Sequence, residues 1–276
     1  MKKLAYLKIC LANPLGRLIL IPYRAKNALS TCFAPFYRII PWLIRSRETT
    51  NYTYNYTPLS LHAAVHVVAS VTQKPVIDIW KYVSELQNDQ QLHQHVAIMT
   101  SRSVFRHFAD SEFNPGRRLL YYVLTRAIKP RVVAEAGLDK GLGACIIGAA
   151  LLKNTSEGHP GKYYGLTLKA KDAYLFDFPY NNYGEIVEGD SVDFLRNTEL
   201  NIDPFFHDTS TDPIHEHDQY EALMPRLRVT SIVQTTWFTE MFVEFARQSG
   251  LSLLTFHETP ASHWHPGSTI AFAFKK

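Results

Sequence analysis

Two acidic residues and three glycines stand close together in one short stretch, Glu135 to Gly143, which reads EAGLDKGLG. The run Val132 to Ala134 before it is apolar without alternation, which is typical of a central parallel strand covered on both faces. The stretch Ala144 to Leu152 after it has the composition of a helix packed on a sheet. The sequence therefore predicts a strand, a tight turn and a helix. The candidate ligand contacts in the turn are Glu135, Gly137, Asp139, Gly141 and Gly143.

The turn has two interpretations. A nucleotide-like ligand would place its phosphate or carboxylate at the helix N-terminus, where unpaired N–H groups and the helix dipole favour negative charge. A tight connection between strand and helix also requires glycine when nothing binds there. The glycine spacing alone leaves both interpretations open.

Polar residues also follow the other predicted strands, which are Lys162 to Leu168, Glu185 to Glu188 and Ile202 to Phe206. In a doubly wound sheet, ligands bind outside the carboxyl ends of the parallel strands, near the point where the strand order switches. This rule brings the ends of these strands beside the glycine turn. The candidates at these ends are Thr167, Asp190, Ser191, His207 and Asp208.

The segment Glu135 to Gly143 resembles the first motif of class I S-adenosylmethionine (SAM) methyltransferases, acidic-x-Gly-x-Gly-x-Gly, with Asp139 at the middle glycine. Gly184 to Leu195 is similar to the third-strand segment of that family, whose Gly-Asp-Ser lies near the adenine, and Ile202 to Asp208 is similar to the fourth strand. From about Glu48 onwards the chain resembles bacterial sugar and antibiotic O-methyltransferases. The resemblance implies SAM as the cofactor and a small-molecule or saccharide hydroxyl as the methyl acceptor.

Three positions depart from the family pattern. A carboxylate after the second strand normally accepts both ribose hydroxyls, and Thr167 stands at that position. Metal-using relatives carry Asp-His after the fourth strand and Asp-Asn at the end of the fifth, where this chain has Ser210-Thr211 and Gln234-Thr235. Because Mg²⁺ prefers anionic oxygen ligands, Asp208 alone would make a weak site, and we predict no tightly bound metal.

A hydroxyl acceptor needs a general base, and histidine is the commonest choice. His207 has the best position, at a strand end directly beside Asp208. The alternative for each histidine is a surface or core side chain with a satisfied hydrogen bond. The candidates are His207, His215, His217, His257, His263 and His265.

The elements that must position these residues alternate between strands and helices. The fifth strand is predicted at Thr230 to Thr235, and Phe238 to Gln248 is predicted as a helix. Leu251 to Phe256 and Thr269 to Phe274 are joined by a loop too short for a crossover helix, so these strands should pair antiparallel. The predicted fold is α/β, a doubly wound, mostly parallel, seven-stranded Rossmann-like sheet with an antiparallel C-terminal edge pair.

Three regions are predicted along the chain. Residues 1–47 form an N-terminal arm, residues 48–115 a helical cap, and residues 116–276 the SAM-binding domain, with Asn114-Pro115-Gly116 at the boundary. In the family resembled, helices before the first motif cover the ligand cleft.

The charge of the 276-residue chain is uneven. Residues 1–47 hold nine of the 29 lysines and arginines and no acid, which leaves 20 basic against 25 acidic residues in the rest. An evenly basic nucleic-acid-binding surface is therefore not indicated. The arm either contacts an anionic membrane peripherally or packs on its own domain or on a second subunit of a homo-oligomer. The three cysteines suggest neither disulfides nor zinc, which fits a reducing cytoplasm, with the inner membrane face as the site of any membrane contact.

Three functions remain as hypotheses. The first is a SAM-dependent O-methyltransferase. The second is a SAM-binding pseudoenzyme that serves as a binding or membrane-associated assembly module, since Thr167, Gln234 and Thr235 replace family residues. The third, a nicotinamide oxidoreductase, is disfavoured because no acidic residue closes the second strand.

Overall fold

The computed structural model describes residues 18, 20–33, 36–49 and 53–275 of the chain. It divides into two compact units. The first contains the described residues up to Ser46 together with Ser262–Pro266. The second contains Arg47–Ala261 and Gly267–Lys276, so the helices between residues 58 and 128 share a unit with the sheet.

The second unit is built on one seven-stranded sheet with the order β3-β2-β1-β4-β5-β7-β6. Strands β1 to β5 are parallel, and β7 runs antiparallel to both β5 and β6. This confirms the predicted doubly wound sheet with an antiparallel C-terminal pair. The strands are β1 (Val132–Ala136), β2 (Lys162–Thr167), β3 (Gly184–Glu188), β4 (Phe205–His207), β5 (Ile232–Thr235), β6 (Ser252–His257) and β7 (Thr269–Phe274).

Helices cover both faces of this sheet. Apolar residues of α3 to α7 form one core cluster with one face of the strands, and those of α8 to α10 form a second cluster with the other face. Since a parallel strand is buried on both faces, this explains the unbroken apolar run at the start of β1. The helices are α1 (Ile21–Phe33), α2 (Phe36–Arg45), α3 (Pro58–Thr72), α4 (Val76–Gln87), α5 (Gln90–Arg102), α6 (Arg118–Ile128), α7 (Leu142–Ser156), α8 (Ser191–Asn197), α9 (Pro213–Leu223) and α10 (Glu240–Gln248).

The strand order reverses between β1 and β4. The chain proceeds outward from β1 through β2 to β3, then returns to the other side of β1 to form β4. At such a switch point, the connections leave the strand ends in opposite directions and open a crevice between them. The ligand site is therefore expected at the carboxyl ends of β1 and β4.

Several element boundaries differ from the sequence prediction by one to three residues. Helix α5 begins at Gln90 because the Asp89 side chain accepts a hydrogen bond from the Leu92 N–H at 3.0 Å and caps the helix. Strand β4 begins at Phe205, later than predicted, because Pro204 has no N–H to donate to a neighbouring strand. Among the described residues, no helix combines the length and apolarity that crossing a membrane requires.

Candidate functional site

A cleft of about 210 Å³ opens at the carboxyl ends of β2, β3 and β4. It brings together four of the predicted site residues, Gly137, Thr167, Asp190 and Ser191. The remaining residues of its lining are Leu166, Leu168, Gly189, Thr209, Ser210 and His215.

Gly137 is held by contacts on both sides of β1. Its N–H donates to the carbonyl of Leu166 at 3.0 Å, and the Asp208 N–H donates to the carbonyl of Ala136 at 2.9 Å. Its φ is +87°, and a Cβ added here would overlap the carbonyl oxygen of Asp208. Glycine is therefore required by the close approach of two strand ends, as well as by any ligand in the cleft.

The part of the turn that precedes α7 faces a second cleft. Asp139 has a φ of +46°, and Gly141, with a φ of +83°, precedes the first residue of α7. Asp139 and Lys140 line a second cleft of about 340 Å³. Its other lining residues are Thr49, Phe105, Phe108 and Asp172. The turn thus lies between two clefts, with Gly137 in one and Asp139 in the other.

Glu135 is buried beneath the turn and does not line the cleft beside Gly137. The Tyr163 hydroxyl donates to its Oε2 at 2.6 Å, and a Cβ on Gly143 would overlap its Oε1. Burial raises the pKa of Glu135 to about 8, and the negative charge of Asp208 adds to the shift. The carboxyl is therefore protonated at neutral pH and joins β1 to β2 and α7.

Glu135→Gln is expected to change how stability depends on pH. A carboxyl with a raised pKa in the folded state favours folding below its unfolded pKa, and this contribution is lost as pH rises towards 8. Gln cannot ionise, yet its amide oxygen can still accept from Tyr163. In denaturant unfolding, the free energy of unfolding of the variant should therefore exceed that of wild type increasingly from about pH 5 to about pH 8. The difference should reach a few kcal/mol, at about 1.4 kcal/mol per pKa unit. A difference that stays constant across this range would contradict the assignment.

Asp190 and Ser191 lie where β3 passes into α8. Asp190 accepts a hydrogen bond from the Val192 N–H at 2.8 Å through Oδ1, which caps the helix. Ser191 accepts from the Gln219 side chain at 2.5 Å. Both residues line the cleft, as the sequence predicts.

Asp208 lies between two arginines at the start of α6. Its carboxylate is 3.2 Å from Arg117 Nη2 and 3.5 Å from Arg118 Nη2, and its side chain is 6% exposed. Burial opposes ionisation of this carboxyl, but the positive charges of Arg117 and Arg118 outweigh it and lower the pKa. Asp208 is therefore a buried, ionised partner of two guanidinium groups.

His207 does not lie in the cleft. Because side chains alternate along β4, His207 points to the same core as Phe205, where its ring lies 5.2 Å from that of Tyr220. Its Nδ1 is 3.1 Å from the Thr235 hydroxyl, and the ring is fully buried. Burial lowers its pKa to about 4. The structure thus contradicts the expectation that His207 meets an acceptor as general base, since neither exposure nor pKa suits that role.

The arginine pair was not predicted from the sequence. Arg117 and Arg118 follow Asn114-Pro115-Gly116 directly and open a helix that is otherwise apolar over its first seven residues. Two adjacent cations at the start of a buried helix require a buried anion, and this is the signal that could have identified them. Of the six candidate histidines, His215 lines the cleft.

No protein-family model matches the chain, and no curated protein sequence matches it. The chain is similar to the solved O-methyltransferase TomG from Streptomyces achromogenes, involved in tomaymycin synthesis and in complex with SAM, at 14% identity and a TM-score of 0.49, over 68% of this chain and 91% of that one. It is also similar to the methyltransferase PaMTH1 of Podospora anserina, bound to S-adenosylhomocysteine (SAH), at 13% identity and a TM-score of 0.49. This similarity covers 68% of this chain and 88% of that one.

An O-methyltransferase from Bacillus cereus in complex with SAH is similar at 14% identity and a TM-score of 0.49, over 71% of this chain and 96% of that one. The observed strand order, with β7 antiparallel between β5 and β6, is the topology that the sequence resemblance implied. The observed fold is therefore a Rossmann-like, doubly wound sheet with an antiparallel C-terminal pair.

Proposed function

We propose that this protein is a SAM-dependent methyltransferase that acts on a hydroxyl group of a small molecule or saccharide. The observation that carries the proposal is the cleft at the switch point of the sheet. It combines Gly137 of the glycine turn with polar side chains from two further strand ends, Thr167 and Asp190. A doubly wound sheet binds nucleotide-like ligands in this place.

The residues around the turn match the chemistry of SAM. The cleft is smaller than the roughly 300–1,000 Å³ of a typical ligand pocket, so it suits the nucleoside half of the cofactor. Asp190 and Ser191 offer hydrogen-bonding groups for an adenine. The methionine half carries an ammonium and a carboxylate. On the other side of the turn, Asp139 offers a negative charge for the ammonium and Lys140 a positive charge for the carboxylate.

SAM supplies an activated methyl group, so the protein has little covalent chemistry to perform. Holding the acceptor oxygen in line with the methyl group, and excluding water, would account for most of the rate. With His207 buried, His215 is the candidate histidine placed to accept a proton in the cleft.

Thr167→Asp is expected to strengthen SAM binding. Thr167 ends β2 and lines the cleft, and a carboxylate there would accept hydrogen bonds from both ribose hydroxyls. The gain should be about 1–2 kcal/mol, or roughly five- to thirtyfold in Kd by calorimetry.

Thr255→Asp is the matched control, because Thr255 is an exposed residue of β6, at the opposite edge of the sheet. It adds the same charge away from the cleft and should leave the SAM affinity unchanged. Weaker binding by Thr167→Asp would show that the end of β2 does not meet the ribose.

Methyl transfer is expected to survive EDTA. The Asp208 carboxylate, the one acid at the position of the metal ligands in metal-using relatives, is already neutralised by Arg117 and Arg118. In the described part of the chain, the one group of three metal-ligating side chains is His217, Asp218 and Glu221 on α9, and none of them lines the cleft. Activity that falls in chelator and returns with Mg²⁺ would refute this expectation.

A pseudoenzyme is the second candidate, and the burial of His207 favours it. Such a protein would bind SAM and release it unchanged. Tritium-labelled SAM, incubated with a panel of hydroxylated small molecules and saccharides, separates the two candidates. Transfer that depends on the acceptor supports the enzyme, whereas tight binding without transfer to any acceptor supports the pseudoenzyme.

A further inference from the structure

The helix α2 carries a stripe of exposed apolar side chains. Its large apolar side chains are exposed at five positions, and Tyr37 and Ile44 are 80% and 78% exposed. At about 100° per residue, the five positions fall within an arc of about 120° on one side of the helix. The stripe consists of Phe36, Tyr37, Ile40, Leu43 and Ile44.

The other side of α2 is cationic and anchored. Arg38 and Arg45 lie roughly opposite the centre of the stripe, by the same geometry. Trp42 lies on that side too, and its ring makes edge contacts with the rings of Trp264, at 5.4 Å, and His263, at 6.2 Å, both of the same unit. The helix is thus held by one side and presents its stripe on the other.

The stripe continues into α1. Phe33, the last residue of α1, has its ring centroid 5.1 Å from that of Phe36, so aromatic side chains connect the two helices. Large apolar side chains are exposed along α1 as well, at Ile21, Tyr23 and Leu29. Single exposed apolar residues are ordinary on protein surfaces, but five on one side of a single helix mark an interaction surface.

The charge of the arm identifies the kind of partner. Residues 1–47 contain nine lysines and arginines and no acid. A second copy of the arm would bring the same excess of positive charge against the first, which disfavours a homodimer through this face. An anionic lipid surface offers the opposite charge, together with an apolar interior for the stripe.

We propose that α2 lies in the interface of an anionic lipid bilayer, with the stripe inserted among the acyl chains and its arginines at the headgroups. A helix of 10 residues is about half the length that spanning requires, so the contact is peripheral. The proposal concerns where the protein works and does not depend on methyl transfer.

The test is co-sedimentation of the full-length protein with vesicles of phosphatidylglycerol mixed with phosphatidylcholine, beside vesicles of phosphatidylcholine alone. We expect binding to the anionic vesicles at low salt, and weaker binding when salt screens the charges. The double substitution Leu43→Glu and Ile44→Glu should weaken this binding at least about tenfold, because two carboxylates then occupy the inserted face.

The double substitution Leu59→Glu and Ile77→Glu is the matched control, since it adds the same two charges outside the arm, at residues that are 81% and 65% exposed in α3 and α4. It should bind vesicles as wild type does, and unchanged thermal unfolding of each variant would exclude misfolding as the cause. Two results would overturn the proposal. One is vesicle binding that the double substitution leaves intact. The other is a wild-type protein that ignores anionic vesicles but forms dimers that the double substitution dissociates, which would make the stripe a homodimer interface.

Discussion

Asp208→Asn is expected to lower the free energy of unfolding by about 3–5 kcal/mol, the usual cost of removing one partner from a buried ion pair. The substitution keeps the shape of the side chain but removes the negative charge between Arg117 and Arg118, whose side chains are 13% and 5% exposed. Two guanidinium groups then stay buried without their counter-ion. Chemical unfolding at neutral pH measures the loss.

Asp218→Asn supplies the comparison. Asp218 also pairs with an arginine, since Arg196 Nη2 lies 4.0 Å away, but these side chains are 41% and 52% exposed. Exposed pairs contribute about 0–1 kcal/mol, so this variant should remain close to wild type in stability. Equal losses in the two variants would mean that Asp208 is not the centre of a buried ion pair.

Gly137→Ala is expected both to destabilise the protein and to abolish SAM binding. The φ of +87° costs an alanine about 1–2 kcal/mol, and the overlap of its Cβ with the Asp208 carbonyl should add about 1–3 kcal/mol as the ends of β1 and β4 separate. Thermal unfolding and calorimetry measure the two effects.

Gly158→Ala isolates the overlap from the backbone strain. Gly158 has nearly the same φ, +84°, but nothing lies within 4 Å of an added Cβ. It should lose only the backbone part of the stability and bind SAM normally. Equal stabilities and equal SAM affinities in the two alanine variants would show that β4 does not approach the turn closely.

Much of the fold could be predicted because its signals are local. The apolar run at Val132, the glycines after it and the short loop between β6 and β7 each report on a neighbouring stretch of chain, and together they predict the sheet. The start of β4 was less predictable. The pairing of β4 with β1 depends on partners that lie about seventy residues apart in the chain.

The site was predicted in part, for a similar reason. Gly137, Thr167, Asp190 and Ser191 were placed at one edge by the rule that parallel strands end together, and the cleft confirms their proximity. That rule does not say which way a side chain turns. His207 is the last residue of β4 and points into the core, whereas the next residue points to the arginines of α6. The register of β4 in the sheet decides which of these two neighbouring residues faces the core.

The cleft at the switch point should bind SAM. Isothermal titration calorimetry of the wild-type protein with SAM, SAH and NAD measures this binding. We predict one site that binds SAM and SAH, and no heat of binding with NAD, because Thr167 ends β2 where a nicotinamide-binding protein would need an acidic residue. Binding of NAD in place of SAM, or of neither, would mean that the cleft is not a SAM site.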